Sequence, residues 1–474
     1  MSIRVNRRQF IIGSASATVI AALALSDFLE GKDMASSQDN QQPGAAPDGT
    51  TNPTNDAPVS EKISCDYVLR QGTIVDGSGG QPYQGDVAIK GDAIAAVGTF
   101  DIMPGAVEID ARGMVICPGF IDVHAHTESY LGAGGKTSMF LLQGITTHLG
   151  GNCGSSVKNV DEFFKSIKGM GINLGILSGY KNLRQRSMTS LNRKARASEI
   201  VKMQQYLAKD LKAGAFGMSV GLEYWPQTFS TTAELIEICQ VLKEHNGVYF
   251  THVRNEYDRV LQAVEEAITI GMTAGVPVEY SHIKAGRMQN WGKMSKILAL
   301  IDQAAGNGLD ITGDVYGYNF SGPDMDYGIC SIGEDDIKLA LQHPRVMIGS
   351  DSGMTIGQKP THPRTYGNYP RIIRKYCLTE KVIPLETTIK KMTQMPAARL
   401  GLKDRGSLTP GYKADVVVFD LAKITDRSTR TNRTLLAEGV NWVFVNGKMA
   451  LKEGKATGCL AGQILRKNEV IGKA

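Results

Sequence analysis

Short apolar runs alternate with longer amphipathic stretches through most of the chain. Eight such runs lie within residues 120–353: FIDVHAH, GITTHLGGNC, INLGILSGY, AFGMSVGLEY, GVYFTHVRN, VPVEYSHIK, LDITGDVYGY and RVMIGSDSG. Runs of this kind are typical of buried parallel strands, and the stretches between them have the apolar spacing of helices, as in TTAELIEICQVLKEHNG. Eight alternations of strand and helix predict an α/β fold, specifically a (β/α)8 TIM-like barrel.

Two segments with a different pattern flank this region. Residues 61–117 and 401–474 consist of short β-like runs broken by Gly and Asp, such as GDVAIKGDAIAAVG and VNWVFVNGKMAL. Runs that end at such turn residues are typical of strands joined by short connections. We therefore expect β structure in both segments, on either side of a barrel formed by residues 118–400.

The N-terminus has the composition of an export signal and a linker. Residues 1–34 begin with basic residues, including Arg7 and Arg8, and continue into an apolar run too short for a membrane span. The Arg pair followed by QFI is typical of a twin-arginine signal, and Ala22 and Ala24 fit a cleavage site. Residues 35–60 are rich in Pro, Gly, Asn, Gln and Ser, which predicts a disordered linker. We expect an exported, periplasmic protein without a stable membrane anchor after signal removal; an uncleaved anchor is the alternative.

The charge of the chain argues against a nucleic-acid partner. The formal net charge is +5 over 474 residues, and Arg4, Arg7 and Arg8 of the expected signal contribute three of these charges. No basic stripe follows elsewhere in the sequence, which leaves a small molecule as the expected partner. The seven cysteines are odd in number and show no disulfide spacing. Nothing in the sequence indicates an oligomeric state.

Each predicted strand ends close to a polar residue. In chain order these residues are His124 with His126, Cys153, Tyr180, Tyr224, His252, His282, Tyr316 and Asp351. Side chains two residues apart on a strand share a face, so the first two histidines point into one volume. Because active sites of such barrels lie at the carboxyl ends of the strands, we expect these side chains to meet at one mouth.

Six of these residues form a candidate metal site, namely His124, His126, Cys153, His252, His282 and Asp351. Imidazole and thiolate donors suit zinc, and six donors exceed the need of one tetrahedral ion, so a second, weaker position is expected. Bound zinc lowers the pKa of water to roughly 7. Asp351 is placed to act as general acid and base, although it is also a candidate ligand or helix cap. Zinc-dependent hydrolysis of an amide is the reaction class that this set predicts.

The motifs GFIDVHAH, GNCG, GLEYWP, THVRNE, SHIK and GSD…HPR occur in this order. Together they closely resemble the D-aminoacylases, which are N-acyl-D-amino-acid deacylases of the amidohydrolase superfamily, from about residue 63 to the end. The resemblance implies hydrolysis of N-acyl-D-amino acids to a carboxylate and a free D-amino acid. It also implies that the two flanking β segments pair into one small β-sandwich.

Residue roles follow from the same resemblance. It implies a tight zinc site and a looser neighbour, with the ligands Cys153, His252 and His282 for the first and His124 and His126 for the second. It makes Asp351 the catalytic base. Lys284, Tyr316 and Arg364 would hold the α-carboxylate of the substrate, which suits an ammonium, a phenol and a guanidinium.

Three departures from the family pattern are expected to lie near the mouth. They are Tyr180, where the family often has His, Ser352, which interrupts the SDG motif, and Gly317 between two tyrosines. His148 is an additional histidine, for which a structural role is expected. Two alternatives to the deacylase remain: a hydrolase of D-residue-containing dipeptides or cyclic amides with the same site, and a non-catalytic exported metal- or ligand-binding protein.

Overall fold

The structure, a computed structural model, describes residues 62–322, 330–360 and 362–471. The expected signal (1–34) and linker (35–60) lie outside the described residues, so both stay predictions. In the described part of the chain no helix combines the length and the apolar character that crossing a bilayer requires.

Strands from both ends of the chain share one nine-stranded sheet. They are β1 (Tyr67–Ile74), β2 (Tyr83–Lys90), β3 (Ala93–Gly98), β4 (Val107–Asp110), β5 (Val115–Pro118), β17 (Val416–Phe419), β18 (Val440–Val445), β19 (Lys448–Lys452) and β20 (Lys455–Ala456). The order is β20-β19-β18-β17-β5-β1-β2-β3, with β4 beside β1. The two ends join where β17 pairs antiparallel with β5, Val416 lying opposite Pro118. The expected β structure of both segments is therefore confirmed, whereas the two-layer sandwich and the domain boundaries stay predictions.

All eight apolar runs contain strands of the central region. These strands are β6 (Phe120–Asp122), β7 (Ala125–His126), β8 (Ile145–Gly150), β9 (Asn173–Ile176), β10 (Ser178–Gly179), β11 (Gly217–Gly221), β12 (Val248–His252), β13 (Val278–Tyr280), β14 (Ile311–Val315), β15 (Val346–Ile348) and β16 (Ser352–Gly353). They form a six-stranded sheet from β10 to β15, a three-stranded sheet β6-β8-β9 and the pair β16-β7. Neighbouring strands are parallel in all three. The fold is thus α/β with parallel sheets.

Helices connect most of these strands. They are α1 (Glu128–Gly132), α2 (Ser138–Leu141), α3 (Val160–Ser166), α4 (Tyr180–Ser187), α5 (Ala197–Lys212), α6 (Thr232–Glu244), α7 (Val260–Ala274), α8 (Met294–Gly306), α9 (Glu334–Gln342), α10 (Arg364–Arg371), α11 (Leu385–Met392), α12 (Gln394–Leu400) and α13 (Lys467–Ile471). Short 3₁₀ turns occupy Gln227–Phe229 and Met288–Asn290, and a π-helical stretch Ile372–Thr379 follows α10.

Helix α6 illustrates why the sequence folds in this way. The hydroxyl of Thr231 accepts a hydrogen bond from the backbone N–H of Glu234 and so caps the first turn. Leu235, Ile238 and Leu242 recur at helical spacing and are buried against the parallel strands. With one face of each helix buried in this way, the carboxyl ends of the strands are left to form the site.

Candidate active site

Five of the six predicted metal donors line one cavity of about 310 Å³ at the carboxyl ends of the strands. They are His126, Cys153, His252, His282 and Asp351. The sixth donor, His124, is fully buried behind the cavity wall. The structure therefore brings together the residues that the strand-end pattern selected.

The donor atoms lie close enough to share metal ions. Cys153 Sγ is 3.4 Å from Nε2 of His124 and of His282, and it is 4.0 Å from Nδ1 of His252. The last two rings approach to 3.0 Å between His252 Nδ1 and His282 Nε2. Nitrogen and sulfur donors at these separations fit the chemistry of zinc.

A second cluster adjoins the first. Asp351 Oδ1 lies 3.2 Å from His126 Nε2 and 3.7 Å from His124 Nε2. These three residues form one group of converging donor atoms, while His124, Cys153 and His282 form another. Because His124 belongs to both groups, the arrangement suits two adjacent positions better than two separate sites.

Three of the donors have backbone conformations that L-residues rarely adopt. The φ angles are +51° at Cys153, +39° at His282 and +50° at Asp351. Such left-handed residues cost on the order of 1–3 kcal/mol each and occur preferentially at functional sites. The backbone at these three positions is thus locally unfavourable, and this conformation directs the three side chains into the cavity.

The loop that carries Cys153 depends on Gly154. This glycine has a φ of +76°, and a Cβ there would lie 2.0 Å from Gln227 Oε1. Gln227 in turn donates to the carbonyl oxygen of Cys153 over 3.1 Å and accepts from the N–H of Gly221 over 2.8 Å. Gly154 therefore leaves room for the side chain that fixes the backbone of Cys153.

Charges in the cavity shift the pKa values of the thiol and the carboxyl group. Burial would raise the pKa of Cys153, but His124 and His282 beside the sulfur lower it well below its ordinary value. Burial likewise would raise the pKa of Asp351, yet the charge of Arg364 and a hydrogen bond from His126 hold it well below its usual range. Both groups are consequently favoured in their anionic forms, as metal ligands and proton acceptors must be.

The three predicted carboxylate-binding residues lie together on the cavity wall. Lys284 Nζ and Arg364 Cζ lie 5.8 Å and 4.6 Å from the centre of the Tyr316 ring. Arg364 Nη2 also contacts Asp351 Oδ2 at 2.6 Å. Among the described residues, Tyr316 Oη and Arg364 Nη1 are buried polar atoms without a hydrogen-bond partner. Such unsatisfied donors beside a cavity suit a bound anionic group.

Tyr180, one of the three family departures expected near the mouth, does not line the cavity. This residue is fully buried as the first residue of α4, and its hydroxyl bonds to Glu234 and accepts from Arg184. Gly317 and Ser352 also lie outside the set of residues that line the cavity, although Tyr316 belongs to it. Tyr180 therefore links the start of α4 to Glu234 of α6 through a buried hydrogen bond.

Two further histidines are buried and have protein partners. His148 Nδ1 lies 2.8 Å from the hydroxyl of Thr127, and burial lowers the pKa of this histidine to about 3. This agrees with the expected structural role. His362 lies 3.1 Å from the carbonyl oxygen of Phe320 and accepts from the N–H of Arg364. It therefore positions the backbone at the start of α10.

Three carboxylates at the site were not predicted from the sequence. Asp314 Oδ2 lies 3.2 Å from His124 Nδ1, and Glu223 Oε2 lies 3.2 Å from His252 Nε2. Glu256 Oε1 lies 3.0 Å from His282 Nδ1. A signal existed for Asp314, because a carboxylate within the strand run LDITGDVYGY requires a buried partner.

Comparison with known proteins gives consistent matches over most of the chain. Residues 115–450 match the model of the Amidohydrolase family. The D-aminoacylase of Alcaligenes xylosoxydans xylosoxydans is 31% identical over 479 residues, covering 86% of this chain and 98% of that protein.

Two solved structures are similar to this chain over their full length. A D-aminoacylase with a binuclear metal centre superposes with a TM-score of 0.80 at 31% identity, covering 85% of this chain and 100% of the other. The N-acyl-D-glutamate deacylase of Bordetella bronchiseptica, complexed with zinc and a phosphonate mimic of the tetrahedral intermediate, gives 0.79 at 31% identity, with coverages of 86% and 100%.

Proposed function

The chain belongs to the amidohydrolase family, within its group of D-aminoacylases and N-acyl-D-amino-acid deacylases, and we propose that it hydrolyses the amide bond of N-acyl-D-amino acids. The products are a carboxylate and a free D-amino acid. One observation carries the proposal: five of the six donor residues line the same cavity as the group Lys284, Tyr316 and Arg364. The sixth donor, His124, converges with them from behind the cavity wall. A substrate with an amide next to an α-carboxylate matches both parts of this site, with the amide at the metal donors and the carboxylate at Lys284, Tyr316 and Arg364.

Zinc is the metal that the donor set supports. Cys153, His252 and His282, whose donor atoms lie 3.0–4.0 Å apart, would hold one tightly bound ion. His124 and His126, with Asp351, would form a weaker second position. When bound, zinc lowers the pKa of water and polarises the carbonyl group of the amide. The zinc complex of the related deacylase and the binuclear centre of D-aminoacylase support the same assignment.

Asp351 would move the proton. Its Oδ1 faces the histidines and its Oδ2 is held by Arg364, so the carboxylate is fixed at the cavity wall. It accepts a proton from the attacking water and then donates it to the amide nitrogen, which leaves as the amine of the D-amino acid. The ammonium of Lys284, the hydroxyl of Tyr316 and the free Nη1 of Arg364 would orient the substrate through its α-carboxylate.

The alternatives are less well supported. Cyclic amides lack the free carboxylate that Lys284 and Arg364 would bind, and the related enzymes named above are an aminoacylase and an N-acyl deacylase. A non-catalytic binding protein is disfavoured because the relatives matched over nearly their full length are deacylases. Neither alternative is favoured.

Three finer features belong to the same proposal. We infer a closed (β/α)8 barrel, which the unbroken parallel order β10 to β15 and the pair β16-β7 support, and a β-sandwich built from both ends of the chain. We infer export through a twin-arginine signal to the periplasm, on the strength of the Arg7-Arg8 segment.

The test compares amine release from N-acetyl-D- and N-acetyl-L-methionine by the zinc-loaded protein and two variants. Asp351→Asn removes the proton acceptor and should lower kcat by about 10²-fold or more on the D-substrate. Asp110→Asn, a matched change at an exposed residue of β4, should retain the wild-type rate. Wild-type activity that is equal on both enantiomers, or that survives in Asp351→Asn, would contradict the proposal.

A further inference from the structure

Glu256 is a buried carboxylate that contacts both the metal-donor cluster and the group proposed to bind the substrate carboxylate. It is 5% exposed, and its Oε1 lies 2.5 Å from Lys284 Nζ and 3.0 Å from His282 Nδ1. His282 is a proposed ligand of the tight zinc position, and Lys284 is a proposed contact of the substrate carboxylate. One oxygen atom thus lies between a metal ligand and a substrate-binding residue.

The ring of His282 is oriented so that its Nδ1 faces Glu256. Its Nε2 faces the other donors, Cys153 Sγ at 3.4 Å and His252 Nδ1 at 3.0 Å. A histidine that binds metal through Nε2 carries its proton on Nδ1 and must donate it. Lys284 Nζ lies 2.7 Å from this nitrogen, but an ammonium has no acceptor capacity. Glu256 is therefore the group that receives the proton of His282.

Lys284 needs the same carboxylate for a different reason. Lys284 is 4% exposed, and Glu256 supplies the buried negative charge that balances its ammonium group. A buried cation without such a partner is strongly destabilised. Burial would raise the pKa of Glu256, but the charges of His252, Lys284 and His282 outweigh this and hold it well below its ordinary value.

The backbone keeps Glu256 in this place. Its carbonyl oxygen accepts a hydrogen bond of 2.7 Å from the N–H of Gly286, which follows Lys284 by two residues. A Cβ at Gly286 would lie 2.8 Å from the ring of Tyr257, so only glycine allows the two segments to approach so closely. The segment of Glu256 is thereby fastened to the segment that carries both of its partners.

We propose that Glu256 is a positioning residue that couples the metal site to the substrate-carboxylate site, by holding the imidazole of His282 and the ammonium of Lys284 with one carboxylate oxygen. The inference rests on the proposed function for the role of Lys284. The other two carboxylates differ in this respect. Asp314 lies 3.2 Å from His124 and does not line the cavity, and Glu223 lies against His252 alone among the proposed ligands.

The experiment uses full-length, zinc-loaded protein and the variants Glu256→Gln, Lys284→Met and Asp314→Asn. Zinc dissociation constants come from chelator competition, and kcat and KM for N-acetyl-D-methionine are measured at saturating zinc. Glu256→Gln should weaken zinc binding by about 10–100-fold. It should also raise KM by about tenfold, because Gln does not hold the buried ammonium beside Tyr316.

The other variants separate the two effects. Lys284→Met should raise KM similarly, with zinc affinity within about threefold of wild type, since Glu256 still holds His282. Asp314→Asn removes a carboxylate from a different ligand, and it should weaken metal retention while KM stays within about twofold. The coupling role thus predicts that Glu256→Gln changes both zinc affinity and KM, whereas Lys284→Met changes KM alone and Asp314→Asn changes metal retention alone.

Several results would overturn the proposal. Wild-type zinc affinity in Glu256→Gln would do so, as would a lowered KM, which would mean that Glu256 restrains Lys284 rather than presents it. Zinc loss in Lys284→Met as large as in Glu256→Gln would mean that Lys284, not Glu256, holds the imidazole of His282. If Glu256→Gln does not fold, zinc loss in Lys284→Met as large as in Asp314→Asn would overturn the proposal in the same way. If wild-type protein hydrolyses no N-acyl-D-amino acid, the proposed function fails, and the zinc constants alone decide this inference.

Discussion

Replacing Gly154 with alanine should cost both stability and metal affinity. The φ of +76° at this position costs an L-residue about 1–2 kcal/mol. The new methyl group would also lie 2.0 Å from Oε1 and 2.5 Å from Cδ of Gln227, a buried side chain held at both ends by hydrogen bonds. Overpacking of this kind adds about 1–3 kcal/mol. The expected total is therefore about 2–5 kcal/mol.

A second glycine separates the two contributions. Gly134 has a φ of +77°, and no atom lies within 4 Å of the position of its Cβ. Gly134→Ala should therefore show only the backbone cost of about 1–2 kcal/mol and should bind zinc as the wild type does. In Gly154→Ala, displacement of Gln227 removes the hydrogen bond to the carbonyl of Cys153, so zinc affinity should fall by about tenfold.

Urea unfolding of the zinc-free proteins measures the stability difference, and chelator competition measures zinc binding. With about 2.1 cal/mol/K per residue and roughly 400 ordered residues, each kcal/mol shifts Tm by about 1 °C, so denaturant is the more sensitive probe. Equal destabilisation of both variants, with unchanged zinc binding in Gly154→Ala, would refute the view that crowding at Gln227 controls the position of Cys153.

Three further changes have defined outcomes. Glu234→Gln leaves the guanidinium of Arg184 without its buried partner at 2.6 Å, and urea unfolding should show a loss of about 3–5 kcal/mol with unchanged KM. Burial lowers the pKa of Lys391 from 10.5 to about 8, so the folded state binds fewer protons than the unfolded state between these pH values. The free energy of unfolding of wild type should therefore rise by about 3 kcal/mol relative to that of Lys391→Met as pH rises from 8 to 10.5. A difference independent of pH would contradict this. Tyr316→Phe removes a buried hydroxyl without a partner among the described residues, which we propose binds the substrate carboxylate. Steady-state kinetics should show KM raised by about 5–10-fold, and an unchanged KM would remove Tyr316 from the carboxylate site.

The strands and the convergence of the candidate metal donors were predictable because both follow from local pattern. An apolar run predicts a buried strand, and a polar residue at its carboxyl end lies at the same edge as those of its parallel neighbours. His252 is the last residue of β12, and His282 follows β13 by two residues. The six candidate donors could therefore be selected before any distance was known.

The partners of those donors were not predictable in the same way. Asp314 is 190 residues from His124, and the alignment of their side chains depends on how β14 lies relative to β6. Tyr180 ends an apolar run, yet it begins α4, and its hydroxyl bonds to Glu234 of α6, 54 residues away. Such contacts depend on the packing of whole elements, which residue spacing along the chain does not specify.

In the proposed function, bound zinc and the D-configuration of the substrate together determine activity. The most direct measurement is a zinc titration of chelator-stripped protein, with amine release followed in parallel on N-acetyl-D-methionine and N-acetyl-L-methionine. We expect no release without metal, and release from the D-substrate alone that rises as about one equivalent of zinc is added. Release by the stripped protein, or equal release from both enantiomers, would contradict the proposed function.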